Sequence, residues 1–376
     1  MNRRKVFFLI NSIGFGGAER ALVNLLSTPG LYKGLDVRIV LLDNEHLARS
    51  LPSNIKVHQL NAKRSLLLSL WQLNQLLKNE TPSLVVSFLV RANVCNALLR
   101  KANSHNTVLC ERMHLSSHLD NQFTGVKRFF ANLLPWFAYH RADAVIGVSS
   151  GVTKDLVEKF RVSTEQAHTI FNPYDIKNIA TAGLEIPEIT LPDNFIISVG
   201  RLTEAKNFKQ LINAYLISKE RSPLCILGEG EQKEELKEFI TSKGAERKVI
   251  LLGYAKNPFS IISRAKYYIS ASTNEGFPNA LLEAMTLGLP AIMTNCPSGP
   301  AEILEDEPEF NSDEFHLGKF GILVPMNNEN QLALAINQMQ IESIYSDYSA
   351  KSKVRSKDFH IEKISAEFWQ FLKRLI

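Results

Sequence analysis

No stretch of about 18 consecutive apolar residues occurs in this chain of 376, so no segment is built to span a membrane. Cysteine is scarce. The four, Cys95, Cys110, Cys225 and Cys296, are nowhere paired at metal-ligand or redox spacing, which leaves them as small buried residues in a reducing compartment. No repeat and no low-complexity stretch is present. Neither an aromatic-rich RNA signature nor a helix-turn-helix pattern accompanies the basic residues, so nucleic acid is not an expected partner. No His, Cys and Asp cluster stands at metal spacing, and no cofactor is expected. The opening Met1-Asn2-Arg3-Arg4-Lys5 looks like the start of a signal peptide. The apolar run Val6 to Ile10 then stops at Asn11-Ser12, which is too short for one and reads as a first buried strand. A cytoplasmic protein is expected.

What is present is ordinary in bulk and uneven in distribution. Hydrophobic residues make up 45% and charged residues 22%, the balance of a globular protein, and the length suggests two domains. Residues 1–180 hold 22 Lys and Arg against 12 Asp and Glu, and the remainder hold 21 against 26. The basic first half suits an anionic surface, which points to peripheral attachment at the inner face of the cytoplasmic membrane.

Short apolar runs alternate with amphipathic stretches. Val6–Ile10, Val37–Leu42, Leu84–Phe88, Thr107–Leu109 and Ala144–Val148 read as buried strands. Stretches such as 18–26 and 66–77 read as helices between them, which predicts a parallel doubly wound α/β sheet. The pattern weakens across a stretch holding Gly183, Pro187 and Pro192. It then restarts with Phe195–Val199, Leu224–Leu227, Val249–Leu252, Tyr267–Ala271, Ala291–Met293 and Gly321–Val324. The expected division is a first domain over 1–180, a linker over 181–194, a second domain over 195–360 and a final helix over 361–376. That helix carries Phe368, Trp369, Phe371 and Leu372 as an apolar stripe. It either crosses back to the first domain or packs on its own.

Two glutamates, Glu275 and Glu283, are separated by seven residues in the run from Asn274 to Glu283. A strand precedes the run and a helix from Asn279 to Leu287 closes it, so Glu275 belongs to a loop and Glu283 to a helix body. Pro278 suits the helix's first turn, where its missing N–H is not needed. Two carboxylates beside a helix N-terminus suit a polyhydroxyl ligand that carries phosphate. Upstream, Gly200-Arg201 ends a strand and Lys206-Asn207 opens a helix. A guanidinium fork and an ammonium point charge in one loop suit a diphosphate. Gly14-Phe15-Gly16-Gly17 follows the first strand. Glu19 breaks the G-x-G-x-x-G pattern, so a dinucleotide is a poor fit, although paired glycines let a backbone approach phosphate.

Glu275-Gly276-Phe277-Pro278-Asn279-Ala280 through Glu283, Gly200-Arg201-Leu202 with Lys206-Asn207, Gly14 to Arg20, and Ser298-Gly299-Pro300-Ala301-Glu302-Ile303 occur in that family's order. Together they resemble a retaining glycosyltransferase of family 4. The resemblance implies the GT-B fold, two doubly wound Rossmann-like domains facing a central cleft, and a nucleoside-diphosphate sugar as donor, UDP being the expected nucleotide. It implies that Arg201 and Lys206 hold the diphosphate and stabilise the leaving group, and that Glu283 accepts from the ribose hydroxyls. Glu275 would lie beside the donor sugar, and Gly276, Phe277, Asn279 and Ala280 would present their amides to sugar and phosphate. Gly16 and Gly17 would lie near the donor phosphate and acceptor, Gly228 near the nucleotide, Tyr254 near the base and His114 near the donor sugar. Taken alone, His114 is equally a structural histidine. No D-x-D occurs, which agrees with catalysis that needs no metal. The implied acceptor is a glycan or an undecaprenyl-diphosphate-linked glycan of bacterial surface polysaccharide synthesis, and the sugar is a hexose or an N-acetylhexosamine. A nucleotide-sugar 2-epimerase and a non-catalytic nucleotide-sugar-binding protein share the architecture and stay open.

Two basic, aromatic stretches fit this picture, Lys127 to Arg141 and Lys63-Arg64 followed by Leu66, Leu67, Leu68, Leu70 and Trp71. Each is either a helix lying in an anionic membrane surface or a core helix with solvated ends.

Overall fold

Runs of Val, Ile, Leu and Phe long enough for one pass through a sheet supply the central strands of two sheets. The computed structural model describes residues 3–14, 16–45, 49–53, 55–123 and 125–376, without the side chains of 121, 126, 127, 129 and 130. Phe15 and the side chains of Lys127, Phe129 and Phe130 therefore lie outside the described residues. The first sheet consists of Lys5–Ile10 (β1), Asp36–Leu41 (β2), Lys56–Gln59 (β3), Leu84–Phe88 (β4), Asn106–Glu111 (β5), Ala144–Gly147 (β6) and Ala167–Thr169 (β7). All pair in parallel, in the order β3-β2-β1-β4-β5-β6-β7. Val6 to Ile10 and Leu84 to Phe88 are buried throughout, as strands covered by helices on both faces must be. The strands β3 and β7 are absent from the hydrophobic pattern because they form the two edges. Lys-Val-His-Gln and Ala-His-Thr pair on one side only and need no apolar run.

The second sheet consists of Ile196–Val199 (β8), Leu224–Leu227 (β9), Val249–Gly253 (β10), Tyr268–Ser270 (β11), Ala291–Thr294 (β12), His316–Leu317 (β13) and Ile322–Val324 (β14). Its order is β10-β9-β8-β11-β12-β14-β13, parallel except for the two-residue β13, which pairs antiparallel to β14 at the edge. Both sheets therefore reverse their order beside their first strand, the first between β1 and β4, the second between β8 and β11. Ligands of such sheets bind at the carboxyl ends of the strands at that reversal.

The chain divides into two compact units, 1–174 with 361–376, and 175–360. This corrects the boundaries expected from composition. Residues 175–180 and the stretch read as a linker belong to the second unit, because Gly183 ends, and the prolines follow, a helix, Ile176–Gly183, that is tied down. Asp175 caps it by accepting from the Asn178 N–H, Asn257 Nδ2 donates to Ala182 O at 2.9 Å, and Ser263 Oγ donates to Gly183 O at 2.6 Å. The last helix, Ile361–Lys373, completes the first unit. Its Ile364, Phe368, Trp369 and Leu372 join the core formed by Phe8, Phe88 and Tyr32. The Trp369 ring lies 5.4 Å from that of Phe8, and its Nε1–H donates to Leu25 O at 3.0 Å.

All four cysteines are free and buried. Burial pushes the thiols of Cys95, Cys110 and Cys225 up to about 12. No helix among the described residues is long and apolar enough to cross a membrane.

Candidate active site

The loops that leave β8 and β11 carry the residues singled out by the motifs. Gly200 and Arg201 directly follow β8, at the point where the second sheet reverses its order. Their course is set by the glycines after β9. Gly228 has φ +150°, and a Cβ there would overlap the Gly200 carbonyl oxygen, while one at Gly230 would overlap the backbone of Leu202. Only glycine admits that approach. Hydrogen bonds then seat the loop, from Gly200 N–H to Leu227 O and from Leu202 N–H to Glu229 O, each 3.0 Å. Gly228 is thus the floor under Arg201. The Arg201 side chain is exposed and forms no ion pair among the described residues.

Lys206 ends a short 3₁₀ turn, Glu204–Lys206. Asn207, in the left-handed region at φ 48°, then turns the chain into the helix Phe208–Ile217. The lysine stem lies across Gly200, where a Cβ would come within 3.2 Å of Lys206 Cε. Its Nζ reaches the Glu275 carboxylate, with Nζ and Oε1 2.5 Å apart. A second tie joins the same two loops, for the Thr273 N–H donates to Ala205 O at 2.8 Å.

Glu275 is held at both ends. While Lys206 takes its carboxylate, Ser298 Oγ donates to its main-chain carbonyl at 2.5 Å. Ser298 can sit there because Gly299 adopts φ +95° and passes so close to Phe277 and Pro278 that any Cβ would collide with the proline ring. This is the physical content of the Ser298-Gly299-Pro300 motif. It is a clamp on the loop from Glu275 to Pro278.

The helix Asn279–Thr286 begins at the end of that loop. Pro278 occupies its N-cap, one position before the first turn expected for it. Asn279 and Ala280 begin the first turn, and the positive end of the helix adjoins the Glu275 loop. Gly276 and Phe277 are buried, with the Phe277 ring edge-on to Phe359 at 5.3 Å. Glu283 is buried in the middle of the same helix, flanked by Leu281, Leu282 and Met285. The neighbouring Asn274 contributes a buried Oδ1 that accepts no hydrogen bond among the described residues. Tyr254, just past β10, is 58% exposed.

Gly16, Gly17 and His114 belong to the first unit, at the carboxyl ends of β1 and β5. Gly16 is the N-cap of the helix Gly17–Leu26, and a Cβ on it would run into the Glu19 carboxylate, which folds back over the cap. His114 is the N-cap of the helix Leu115–Gln122. Its Nδ1 lies 2.8 Å from Ser117 Oγ and its Nε2 3.9 Å from Asp155 Oδ1. Burial lowers its pKa, with Asp155 acting in the opposite sense, so desolvation favours the neutral ring.

Residues 15–178 match the family described as Glycosyltransferase Family 4, and residues 184–352 match Glycosyl transferases group 1. A Campylobacter jejuni enzyme, N-acetylgalactosamine-N,N'-diacetylbacillosaminyl-diphospho-undecaprenol 4-alpha-N-acetylgalactosaminyltransferase, is 30% identical over 98% of this chain and 99% of its own length. The chain belongs to glycosyltransferase family 4. The lipopolysaccharide 1,6-galactosyltransferase of Salmonella typhimurium is 26% identical over 84% of this family 4 chain and 86% of its own. Among solved structures, Anabaena HepE in complex with UDP-glucose superposes with a TM-score of 0.75 at 20% identity, over 98% of this chain and 99% of its own. Sucrose-phosphate synthase from Thermosynechococcus elongatus does so at 0.80 and 18% identity, over 99% of each chain. The fold is GT-B, two Rossmann-like α/β domains.

Three features of these sites escaped the motif reading. The Lys206–Glu275 pair joins residues that motifs treat separately. Gly230, the second glycine of Gly228-Glu229-Gly230, shapes the Arg201 loop as much as the first. Glu111, the last residue of β5, is fully buried, and the Nε and Nη2 atoms of Arg112 beside it are buried too. A charged pair directly after an apolar strand in an α/β pattern is the signal that marks it.

Proposed function

We propose that this family 4 glycosyltransferase is retaining and metal-independent. It moves a hexose or N-acetylhexosamine from a nucleoside-diphosphate sugar, UDP being the favoured nucleotide, to a hydroxyl of a glycan or lipid-linked glycan acceptor in bacterial surface polysaccharide synthesis. The observation that carries the reading is the Lys206–Glu275 ion pair, which joins two loops at the reversal point of the second sheet, one of which also carries Arg201. Arg201 supplies a free fork and Lys206 a point charge for the diphosphate, and both gain in strength as negative charge develops on the leaving phosphate. Glu283 accepts from the ribose and Glu275 lies at the sugar. The departing phosphate helps to deprotonate the acceptor hydroxyl, and His114 touches the donor sugar. UDP-glucose in the HepE structure and the diphospho-undecaprenol acceptor named for the Campylobacter jejuni enzyme support donor and acceptor classes. Arg201 and Lys206 supply the positive charge that a diphosphate leaving group needs.

Peripheral attachment to an anionic membrane on the cytoplasmic side is part of the proposal. The helix Leu66–Glu80 holds Leu67 77% and Trp71 58% exposed directly after Lys63 and Arg64, an apolar face beside a basic one. The helix Gly125–Tyr139 exposes Leu133 and Phe137, with the Arg141 guanidinium 3.6 Å over the Phe137 ring.

Release of UDP from UDP-sugars, with and without a lipid-diphosphate glycan and in the presence of EDTA, tests the reading. Acceptor-dependent release that persists in EDTA is expected. Release restored only by manganese or magnesium overturns the metal-independent part. Conversion of the donor to an epimer without acceptor points to the epimerase, and binding without turnover to a scaffold.

A further inference from the structure

The first sheet has its own reversal point, between β1 and β4, and the loops around it carry several arginines. Arg112 directly follows β5, next to β4. Its guanidinium carbon lies 5.2 Å from the centre of the ring of Phe88, the last residue of β4. Nε and Nη2 of Arg112 are buried and have no hydrogen-bond partner among the described residues. Nor does Arg112 form an ion pair among the described residues. The nearest acid in sequence, Glu111, is committed elsewhere, accepting from the Tyr139 hydroxyl at 2.8 Å through Oε2 and from the Arg112 backbone N–H at 3.0 Å through Oε1. A desolvated guanidinium with two idle donors is costly unless something anionic meets it.

The surroundings favour such a guest. Arg20, on the first turn of the helix Gly17–Leu26, is lowered to about 10 by burial and then by the like charge of Arg49. Arg20 lies beyond β1 and Arg112 beyond β5, the two strands that flank β4, so both belong to this end of the sheet. Arg49 Nε donates to Gly14 O at 3.2 Å, within the glycine loop that leads into that helix. Leu89, the first residue after β4, holds φ +74° and ψ 148°, a strained conformation for a branched side chain and of the kind kept at binding sites.

We propose that Arg112, assisted by Arg20 and Arg49, forms an oxyanion pocket at the carboxyl end of the first sheet that takes the diphosphate of the lipid-linked acceptor. The assignment rests on the glycosyltransferase reading, in which Arg201 and Lys206 already serve the donor diphosphate. A second diphosphate is left for the acceptor, and the planar fork of Arg112 matches two of its oxygens.

The test uses the full chain saturated with UDP, so that the donor site is occupied. Inorganic pyrophosphate and, separately, farnesyl diphosphate are titrated by calorimetry into wild type, R112Q and R112K. Wild type is expected to bind both. R112Q is expected to lose about tenfold or more in affinity for each, and R112K, which keeps the charge without the fork, to lose less. UDP affinity, measured alone, stays at the wild-type value in both variants. Unchanged pyrophosphate binding in the variants, or none in wild type, overturns the proposal. Weakened UDP binding in R112Q reassigns the anion to the donor and also overturns it. Binding of pyrophosphate but not of the prenyl diphosphate makes this a site for free anions and removes the acceptor. If R112Q does not fold, R112K decides alone. A chain that transfers no sugar yet binds pyrophosphate through Arg112 fails the glycosyltransferase reading while the pocket stands.

Discussion

Lys206 and Glu275, 69 residues apart in the chain, meet in an ion pair between the loops that follow β8 and β11. The pair holds the ammonium in place before any diphosphate arrives. Arg201, by contrast, has no such partner among the described residues. R201A and K206A are each expected to lower kcat roughly 100-fold, the scale for losing one preorganised charge at a developing anion. K206A is further expected to melt at a lower temperature than R201A, because it strands the half-buried Glu275 carboxylate. Steady-state kinetics with thermal melts of both variants check this, and near-normal turnover in either removes the diphosphate clamp.

The two carboxylates separate by role. A ribose contact exists before and during reaction, so E283A is expected to raise the donor KM more than it lowers kcat. E275A, which removes both the group at the sugar and the anchor of Lys206, is expected to act on kcat. Kinetics varying the donor at saturating acceptor give the split, and a reversed pattern exchanges the two assignments.

Membrane contact is best tested away from residues with structural duties. Arg128 pairs with Asp120 and Arg141 stacks on Phe137, so charge reversals there disturb the fold as well as the surface. Leu67 and Trp71 are exposed and carry no such duty. The double variant L67E/W71E is expected to sediment less with phosphatidylglycerol vesicles, and wild-type binding to weaken at high salt, since each basic residue near the surface is worth about 1 kcal/mol and is screened. Turnover on a short soluble acceptor should be unchanged. Equal sedimentation of variant and wild type would make this face something other than a membrane contact.

Glu111 predicts a pH signature of stability. Burial raises its carboxyl from 4.5 to about 7, against the hydrogen bonds from Tyr139, Arg112 and Met113, while the charge of Asp155 adds to the rise. The folded state thus prefers the protonated acid. Its contribution is complete below about pH 4.5, is lost as pH rises through the window up to about 7, and stays lost above it. E111Q cannot ionise, so the melting temperature of E111Q relative to wild type is expected to rise between pH 5 and pH 8. A difference that does not change with pH would show that Glu111 is ionised in the fold throughout.

Much of this was legible in the sequence because α/β folds announce themselves. Central strands such as Val6–Ile10 are buried on both faces and are apolar without interruption, and Gly200, Gly228 and Gly299 stand where only glycine fits. Edge strands carry no such mark, which hid β3, β7 and β13. The linker was misplaced because Gly183 and Pro187 look like the start of a loop, whereas the fold uses Ile179 and the Asp175 cap to pin a helix first. Nor does spacing reveal that the Lys206 ammonium lies on the Glu275 carboxylate or that Ser298 grips the Glu275 carbonyl. Those contacts join loops brought together only by the packing of β8 against β11. The burial of Glu111 was hidden for the opposite reason, since charged residues at a strand end are ordinarily solvated.

The closing helix has a consequence for how the chain comes into being. Phe368 and Trp369 sit in the same core as Phe8, yet all of residues 175–360 are made between them. On a ribosome the first half must wait, with the hollow for Trp369 open to solvent, until the helix Ile361–Lys373 has been made. The second half has its own residues in hand and no such delay. Birth order and completion order are therefore reversed, and a stop ahead of Phe368 harms the portion synthesised first.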